Sequence, residues 1–143
     1  MLKNIPEIIP SDLMKILMDM GHGDEIVIGD ANFPAVEMGR RVVNTKGHGV
    51  PEVLEAMLKF FPLDTFVEKP IALMQTGPQF KEEPTIWDDF KKVINKSDEK
   101  NNFKEFDYID RFEFYERAKK SFAIVGTSET SLYACIIIKK GVL

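Results

Sequence analysis

The sequence predicts an α/β fold, in which a single three-layer domain spanning residues 1–143 has a mixed β-sheet covered by helices on both faces. Apolar runs typical of strands alternate with segments of helical periodicity over most of the chain, which is the pattern of a sheet covered by helices. About six residues join the last two predicted strands, which is too few for the crossover that a parallel pair needs. Those two strands are therefore antiparallel or not adjacent, and the sheet is mixed. A chain of 143 residues has the length of one domain.

The helices are predicted where apolar residues recur at three- and four-residue spacing. The predicted helices cover residues 12–20, 52–61, 85–95 and 112–120. The predicted strands cover residues 25–29, 41–44, 70–74, 106–109, 122–125 and 132–138. Ser11 is expected to cap the first helix, and Gly21 is expected to end it as a left-handed residue.

The composition excludes several classes of protein. A net charge of -4 and a pI of about 5.3 argue against a nucleic-acid partner. The single cysteine, Cys135, excludes an internal disulfide framework. The apolar runs are too short to span a membrane, and the first residues lack the apolar region of a secretory signal. We expect a cytoplasmic protein that binds a small molecule.

Polar residues lie on both sides of the first predicted strand. His22 precedes this strand between Gly21 and Gly23, and glycines let the backbone approach a ligand closely. Asp30 follows the strand at its carboxyl end, where α/β sheets bind ligands. Because histidine gives and takes a proton near neutral pH, His22 is a candidate acid–base group. The alternative is a histidine that only completes a loop turn.

Two further residues are candidates for binding a polar ligand. Arg111 lies at a predicted strand-to-helix junction, where its guanidinium could donate several hydrogen bonds to hydroxyl groups. Tyr133 begins the last predicted strand, and its phenol either bonds a ligand or packs in the core.

Two other kinds of chemistry have little support. Cys135 lies in the middle of an apolar predicted strand, where a lone cysteine is usually a small buried hydrophobic residue rather than a nucleophile. A zinc site is the other possibility, but its candidate ligands match no known ligand spacing. Those ligands would be His22, Asp24, Asp30 and His48.

Two long segments resemble a known family. Residues 20–34 read MGHGDEIVIGDANFP, and residues 111–125 read RFEFYERAKKSFAIV. Both segments resemble the D-ribose pyranase/L-fucose mutarotase family. The likeness continues from the second segment through Gly126 and Glu129 to residues 133–142, and the stretch LDTF at residues 63–66 is also similar. The RFEFYER stretch favours the L-fucose mutarotase branch of that family.

This resemblance implies an isomerase without a cofactor that interconverts the α and β anomers of a monosaccharide, L-fucose. The family's proton donor falls on His22, and its substrate-binding residues fall on Asp30, Arg111 and Tyr133. Cys135 stands where the family has an asparagine, and a thiol is a poor replacement for a carboxamide. Members of the family form ring-shaped homo-oligomers, commonly decamers, so we expect His22 to serve the cleft of a neighbouring subunit.

Mutarotation fits these residue types, because opening and closing a hemiacetal ring needs an acid–base group and no redox chemistry. Two other functions stay open. A D-ribose pyranase would use the same chemistry on a different sugar. A monosaccharide-binding protein without catalytic activity would bind the sugar but would not need His22 to exchange protons.

Overall fold

The computed structural model describes residues 1–143 and contains one mixed sheet of six strands between two layers of helices. The strands are β1 (Glu25–Gly29), β2 (Val42–Thr45), β3 (Ile71–Met74), β4 (Asp107–Ile109), β5 (Ala123–Thr127) and β6 (Ile136–Lys139). The helices are α1 (Ser11–Asp19), α2 (Ala35–Met38), α3 (Val50–Leu58), α4 (Ile86–Ser97) and α5 (Arg111–Lys120). The predicted fold class is therefore confirmed.

The sheet has the strand order β2-β5-β1-β6-β3-β4. Strand β6 runs antiparallel to both of its neighbours, β1 and β3, whereas the other pairs are parallel. Because β1 separates β5 from β6, the last two strands of the chain are not adjacent, which is one of the two predicted arrangements. In the register of the central strands, Val27 of β1 lies between Ile124 of β5 and Ile137 of β6.

The two faces of the sheet carry cores of very different size. Helices α1, α3 and α4 cover one face with a cluster of 29 buried residues, whereas α2 and α5 cover the other with a cluster of 8. The strand pattern explains both, since successive side chains point to opposite faces. Ile26 and Ile28 of β1 join the larger core and Val27 joins the smaller one. Helix α2 was not predicted, because its four residues are too few to show helical periodicity.

The predicted ends of the first helix are wrong. Pro10 has extended backbone angles and is the capping residue, so Ser11 is already the first residue of α1 and its side chain makes no capping bond. At the other end, the chain leaves α1 through Met20 in an extended conformation. The left-handed glycine comes later, at Gly23, whose N–H donates to the carbonyl of Lys140 at 2.8 Å.

The last strand begins at Ile136 rather than at residue 132. Tyr133 has a φ of +56°, a left-handed conformation that an extended strand cannot contain. Its carbonyl accepts a hydrogen bond of 2.9 Å from Nε1 of Trp87, which fixes the turn in front of β6. Tyr133 therefore lies in this turn, and Cys135 lies just before β6 rather than in the middle of a strand.

Candidate active site

A cavity of about 710 Å³ opens at one edge of the sheet. The parallel strands β1, β3 and β4 end at this edge, and the antiparallel β6 begins there. The residue next to each of these strand ends lines the cavity: Asp30, Gln75, Asp110 and Cys135. Polar side chains alternate with the apolar surfaces of Phe33, Met74, Phe80 and Leu132. This mixture suits a ligand that has both hydroxyl groups and apolar carbon atoms.

Asp30 is held at the cavity by its own backbone and by a turn. Its N–H donates to Sγ of Cys135 at 3.3 Å, and its Oδ1 accepts the N–H of Asn32 at 2.9 Å. Gly29 allows Phe33 to fold back against the end of β1, because a Cβ at position 29 would lie 2.9 Å from Cβ of Phe33. The carboxylate of Asp30 lines the cavity and forms no ion pair within the chain, so it can accept a hydrogen bond from a ligand.

Arg111 is the first residue of α5, directly after the helix cap formed by Asp110. Its Nε donates to the hydroxyl of Tyr115 at 3.2 Å, and its guanidinium carbon lies 5.2 Å from the centre of the Tyr115 ring. The side chain is exposed at the rim of the cavity and has no carboxylate partner. Four of its five N–H donors therefore stay available to a ligand.

Tyr133 lies in the opposite wall of the cavity. Its hydroxyl accepts the N–H of Gly77 at 3.1 Å, and its ring packs edge-on against Phe80 at 4.9 Å. The hydroxyl proton remains free to be donated. The turn that carries Tyr133 is thus joined to the segment after β3, and together they form one wall of the cavity.

Cys135 lies deep in the same cavity, with 4% of its surface exposed. Burial raises the pKa of its thiol well above the ordinary value, and the nearby charge of Asp30 adds to the shift. Because the thiolate is the nucleophilic form, Cys135 is a poor nucleophile. Its sulfur instead accepts the N–H of Asp30, a contact that the sequence did not reveal.

His22 does not reach this cavity within one chain. It precedes β1 while Asp30 follows it, so about 16 Å of strand separates the two positions. Nε2 of His22 lies 3.1 Å from Oδ1 of Asp64, and the ring packs against Phe66 at 4.8 Å. The structure thus brings Asp30, Arg111, Tyr133 and Cys135 together and leaves His22 at the opposite edge of the sheet.

Several residues of the cavity and of the His22 edge were not identified from the sequence. Gln75, Gln79 and Phe80 belong to a polar stretch without periodicity, yet they form a wall of the cavity. Gln75 follows β3 just as Asp30 follows β1. Because ligands bind at the carboxyl ends of the strands, this position could have identified Gln75 as a candidate binding residue from the sequence. Asp64 lies in a loop far from any strand end on the cavity side, so its position gave no such signal, and only the resemblance of residues 63–66 to the family marked its segment.

Glu129 connects the loops that carry the cavity residues. Its Oε1 accepts the N–H of Ser131 at 3.0 Å, its Oε2 accepts that of Val50 at 3.3 Å, and its carbonyl accepts that of Ala31 at 2.8 Å. Burial raises the pKa of Glu129, but the hydrogen bonds outweigh burial and leave the pKa below the ordinary value. The carboxylate therefore stabilises the folded chain.

We expect Glu129→Gln to destabilise the fold at neutral pH and much less in acid. A lowered pKa means that the charged form contributes stability above the ordinary pKa of glutamate, and that this contribution is lost as the pH falls through the lowered pKa. The measurement is the urea midpoint of unfolding for wild type and variant at neutral and acidic pH. Glu82→Gln, at an exposed glutamate without partners, is the control. An equal loss at both pH values would contradict the stabilising role of the charge.

The sequence analysis also considered a zinc site and membrane-spanning segments. No group of three or more histidine, cysteine or acidic side chains is placed to hold a metal ion, and the candidates His22 and Asp30 are at opposite ends of β1. Asp24 accepts the N–H of Gly21 at 2.8 Å, which is a local loop contact. None of the helices is both long and apolar enough to cross a membrane.

The fold and the cavity together define an α/β protein with a site for a small polyhydroxylated ligand. The chain belongs to the RbsD / FucU transport protein family, whose model matches residues 3–143. The human fucose mutarotase (Homo sapiens) is 43% identical over 99% of this chain and 94% of its own length.

Two solved structures have the same fold. The fucose mutarotase of Streptococcus pneumoniae, in complex with L-fucose, is 42% identical, covers 99% of both chains and superposes with a TM-score of 0.90. RbsD of Bacillus subtilis, complexed with D-ribose, superposes with a TM-score of 0.76 over 100% of this chain and 99% of its own, but is 24% identical and therefore shows the fold alone.

Proposed function

We propose that this protein interconverts the α and β anomers of L-fucose. The observation that carries the proposal is the L-fucose complex of the streptococcal relative, which matches this chain over nearly its whole length at 42% identity. The cavity described above supports it, because a carboxylate, a guanidinium and two phenols converge there around an apolar wall. These are the groups that bind sugar hydroxyls and cover the apolar face of a sugar ring.

The reaction needs proton transfer and nothing else. The proton of the anomeric hydroxyl is removed, the bond between C1 and the ring oxygen breaks, and the ring oxygen becomes a hydroxyl. Rotation about the C1–C2 bond and reclosure from the other face of the aldehyde give the other anomer. An acid–base group that exchanges protons near neutral pH accelerates both directions, and His22 is the residue of this chain that fits.

The cavity residues bind and orient the sugar. Asp30 accepts hydrogen bonds from ring hydroxyls and Arg111 donates to them, so a sugar that lacks these hydroxyls leaves polar groups unpaired and binds less well. The ring of Phe33, which lies over the end of β1, covers the apolar methyl group of a 6-deoxy sugar. Tyr133 donates its free hydroxyl proton to the sugar.

The site is completed by a second subunit. His22 lies at the edge of the sheet away from the cavity, so His22 of the partner subunit acts on the sugar bound by Asp30 and Arg111. Large exposed apolar side chains occur beside both halves of this site. Phe66 packs on His22 and is 72% exposed, and Phe112, next to Arg111, is 81% exposed. A contact that covers them would bury upwards of about 1,000 Å².

The oligomer that fits this proposal is a closed ring. Contacts between two different surfaces of the same chain generate a ring when the rotation closes. A decamer is the assembly that we infer from the resemblance to the family.

We expect Cys135→Asn to tighten the binding of L-fucose. An asparagine has nearly the volume of cysteine, and its oxygen can still accept the N–H of Asp30 while its amide nitrogen faces the cavity. The expected gain is about 0.5–1.5 kcal/mol, the net value of one hydrogen bond. Calorimetric titration with L-fucose measures it. An unchanged affinity in a correctly folded variant would mean that position 135 contributes packing and the bond to Asp30 only.

Magnetisation-transfer NMR of the wild-type protein, with L-fucose and D-ribose measured side by side, tests the proposed function. Faster exchange between the anomers of L-fucose supports it. Acceleration of D-ribose alone would make the protein a D-ribose pyranase. Binding of either sugar without any acceleration would make it a monosaccharide-binding protein.

A further inference from the structure

A tight turn in the segment after β3 forms part of the cavity wall. The N–H of Phe80 donates to the carbonyl of Gly77 at 3.0 Å, so these four residues form a β-turn with Pro78 and Gln79 at its central positions. Proline stabilises such a turn at the first central position, because its ring fixes φ. The local sequence therefore fixes the turn, and Gly77, Gln79 and Phe80 all line the cavity.

The side chain of Gln79 folds back over Gly77. A Cβ at position 77 would lie 3.0 Å from both Cδ and Nε2 of Gln79, and closer still to its Oε1. The carboxamide therefore occupies the space that the missing side chain of Gly77 leaves open. The same glycine donates its N–H to the hydroxyl of Tyr133 at 3.1 Å. Gly77 thus joins the carboxamide of Gln79 and the phenol of Tyr133 at one place in the cavity wall.

A carboxamide at this place supplies chemistry that the charged residues of the cavity lack. The ionised Asp30 can only accept hydrogen bonds, and Arg111 can only donate them. The thiol of Cys135 is a weak partner, and its sulfur already accepts the N–H of Asp30. The amide of Gln79 both donates and accepts without carrying a charge. It can therefore pair with a sugar hydroxyl whichever way the proton of that hydroxyl points.

We propose that Gln79 is a further sugar-binding residue, whose carboxamide forms a hydrogen bond with a ring hydroxyl and so contributes to the choice of sugar. This inference rests on the proposed function. A sugar in which that hydroxyl is missing or points elsewhere leaves the amide unpaired and binds less well. Gly77 is part of the arrangement, because the side chain of any other residue would take the place of the amide.

The first test is Gln79→Ala. The φ of Gln79 is negative, so alanine keeps the turn and the packing of Phe80 on Tyr133. We expect the affinity for L-fucose to fall about 2–10-fold, the effect of losing one hydrogen bond. KM should rise to the same extent with kcat unchanged, because the contact is the same before and during the reaction. Calorimetric titration measures the affinity, and wild-type affinity in a folded variant would overturn the proposal.

The second test is Gly77→Ala. The φ of Gly77 is not positive, and the three atoms nearest to the new Cβ all belong to the carboxamide of Gln79. This substitution should therefore weaken L-fucose binding about as much as Gln79→Ala does. It should cause no further loss when Gln79 is already alanine. Additive losses in the double variant would overturn the proposed position of the amide, and so would wild-type affinity in Gly77→Ala alone.

The third test identifies the hydroxyl that Gln79 binds. L-fucose analogues that each lack one ring hydroxyl, at C2, C3 or C4, are titrated into the wild type and into Gln79→Ala. One analogue should bind the wild type more weakly than L-fucose does, whereas Gln79→Ala should bind that analogue and L-fucose equally. If each missing hydroxyl costs the two proteins the same affinity, Gln79 contacts none of them and the proposal is overturned.

The matched control is Lys81→Ala. Lys81 is another long polar side chain of the same segment, exposed and outside the cavity, so its removal should leave the affinity, KM and kcat unchanged. An equal loss in this variant would assign the effect to the segment and overturn the role of Gln79. Failure of the proposed function is measured separately, in the wild type. If the wild type binds L-fucose without accelerating anomer exchange, it is not a mutarotase, and the titrations still decide whether Gln79 contacts the sugar. A wild type that does not bind L-fucose would overturn both.

Discussion

Replacing His22 with alanine is expected to lower the rate of L-fucose anomer exchange by about 10²–10⁴-fold, the usual contribution of a general acid–base group. The fold should survive, because the side chain of His22 is 39% exposed and lies outside both buried cores, where it bonds to Asp64 and packs against Phe66. Magnetisation-transfer NMR measures the exchange rate, and circular dichroism verifies the fold.

The matched control for this substitution is His48→Ala. It removes the other histidine of the chain, which contacts Glu52 and does not line the cavity, so its exchange rate should equal that of wild type. Wild-type exchange by the His22→Ala variant would show that His22 is not the acid–base group. Tyr133, whose hydroxyl lies in the cavity wall, would then become the better candidate.

Mixing two inactive variants is expected to restore part of the activity. In a ring in which each site takes His22 from one subunit and Arg111 from the next, His22→Ala and Arg111→Ala chains complement each other. Random assembly of equal amounts gives both intact residues in about a quarter of the sites. The measurement is the exchange rate after joint dissociation and reassembly, compared with each variant treated alone.

Native mass spectrometry distinguishes the reasons for a failed complementation. Mixed oligomers without any recovered exchange would place the whole site within one chain, and this would contradict the shared site. A wild-type protein that sediments as a monomer would contradict it before any mixing. Recovery that rises with the fraction of mixed oligomers is the result that the shared site predicts.

The elements of the fold were largely predictable because each depends on local patterns. Every predicted strand and helix occurs in the structure, and the short link between the last two strands correctly indicated a mixed sheet. The strand order was not predictable, because it depends on pairing between distant residues. Nothing local in β6 shows that Ile137 lies beside Val27 of β1 and Ala72 of β3.

The site was predictable to the extent that its residues lie at junctions between elements. Asp30 follows β1 and Arg111 begins α5. Both junctions could be recognised in the sequence, because the hydrophobic pattern changes where one element ends and the next begins. The turn around Tyr133 was not, because its left-handed backbone is held by Trp87 from a distant helix. The burial of Asp64 was not predictable either, because it arises from contacts with β6 and with Asn102 that only the folded chain creates.

A crystal structure of the assembled protein with L-fucose tests most directly whether each active site is shared between two subunits. We predict that the sugar lies in the cavity with its hydroxyls bonded to Asp30 and Arg111 of one subunit. We also predict that the imidazole of His22 of the partner subunit lies within hydrogen-bond distance, about 3 Å, of the anomeric or ring oxygen. A sugar bound in the cavity with no histidine from a neighbouring subunit near it would contradict the shared site.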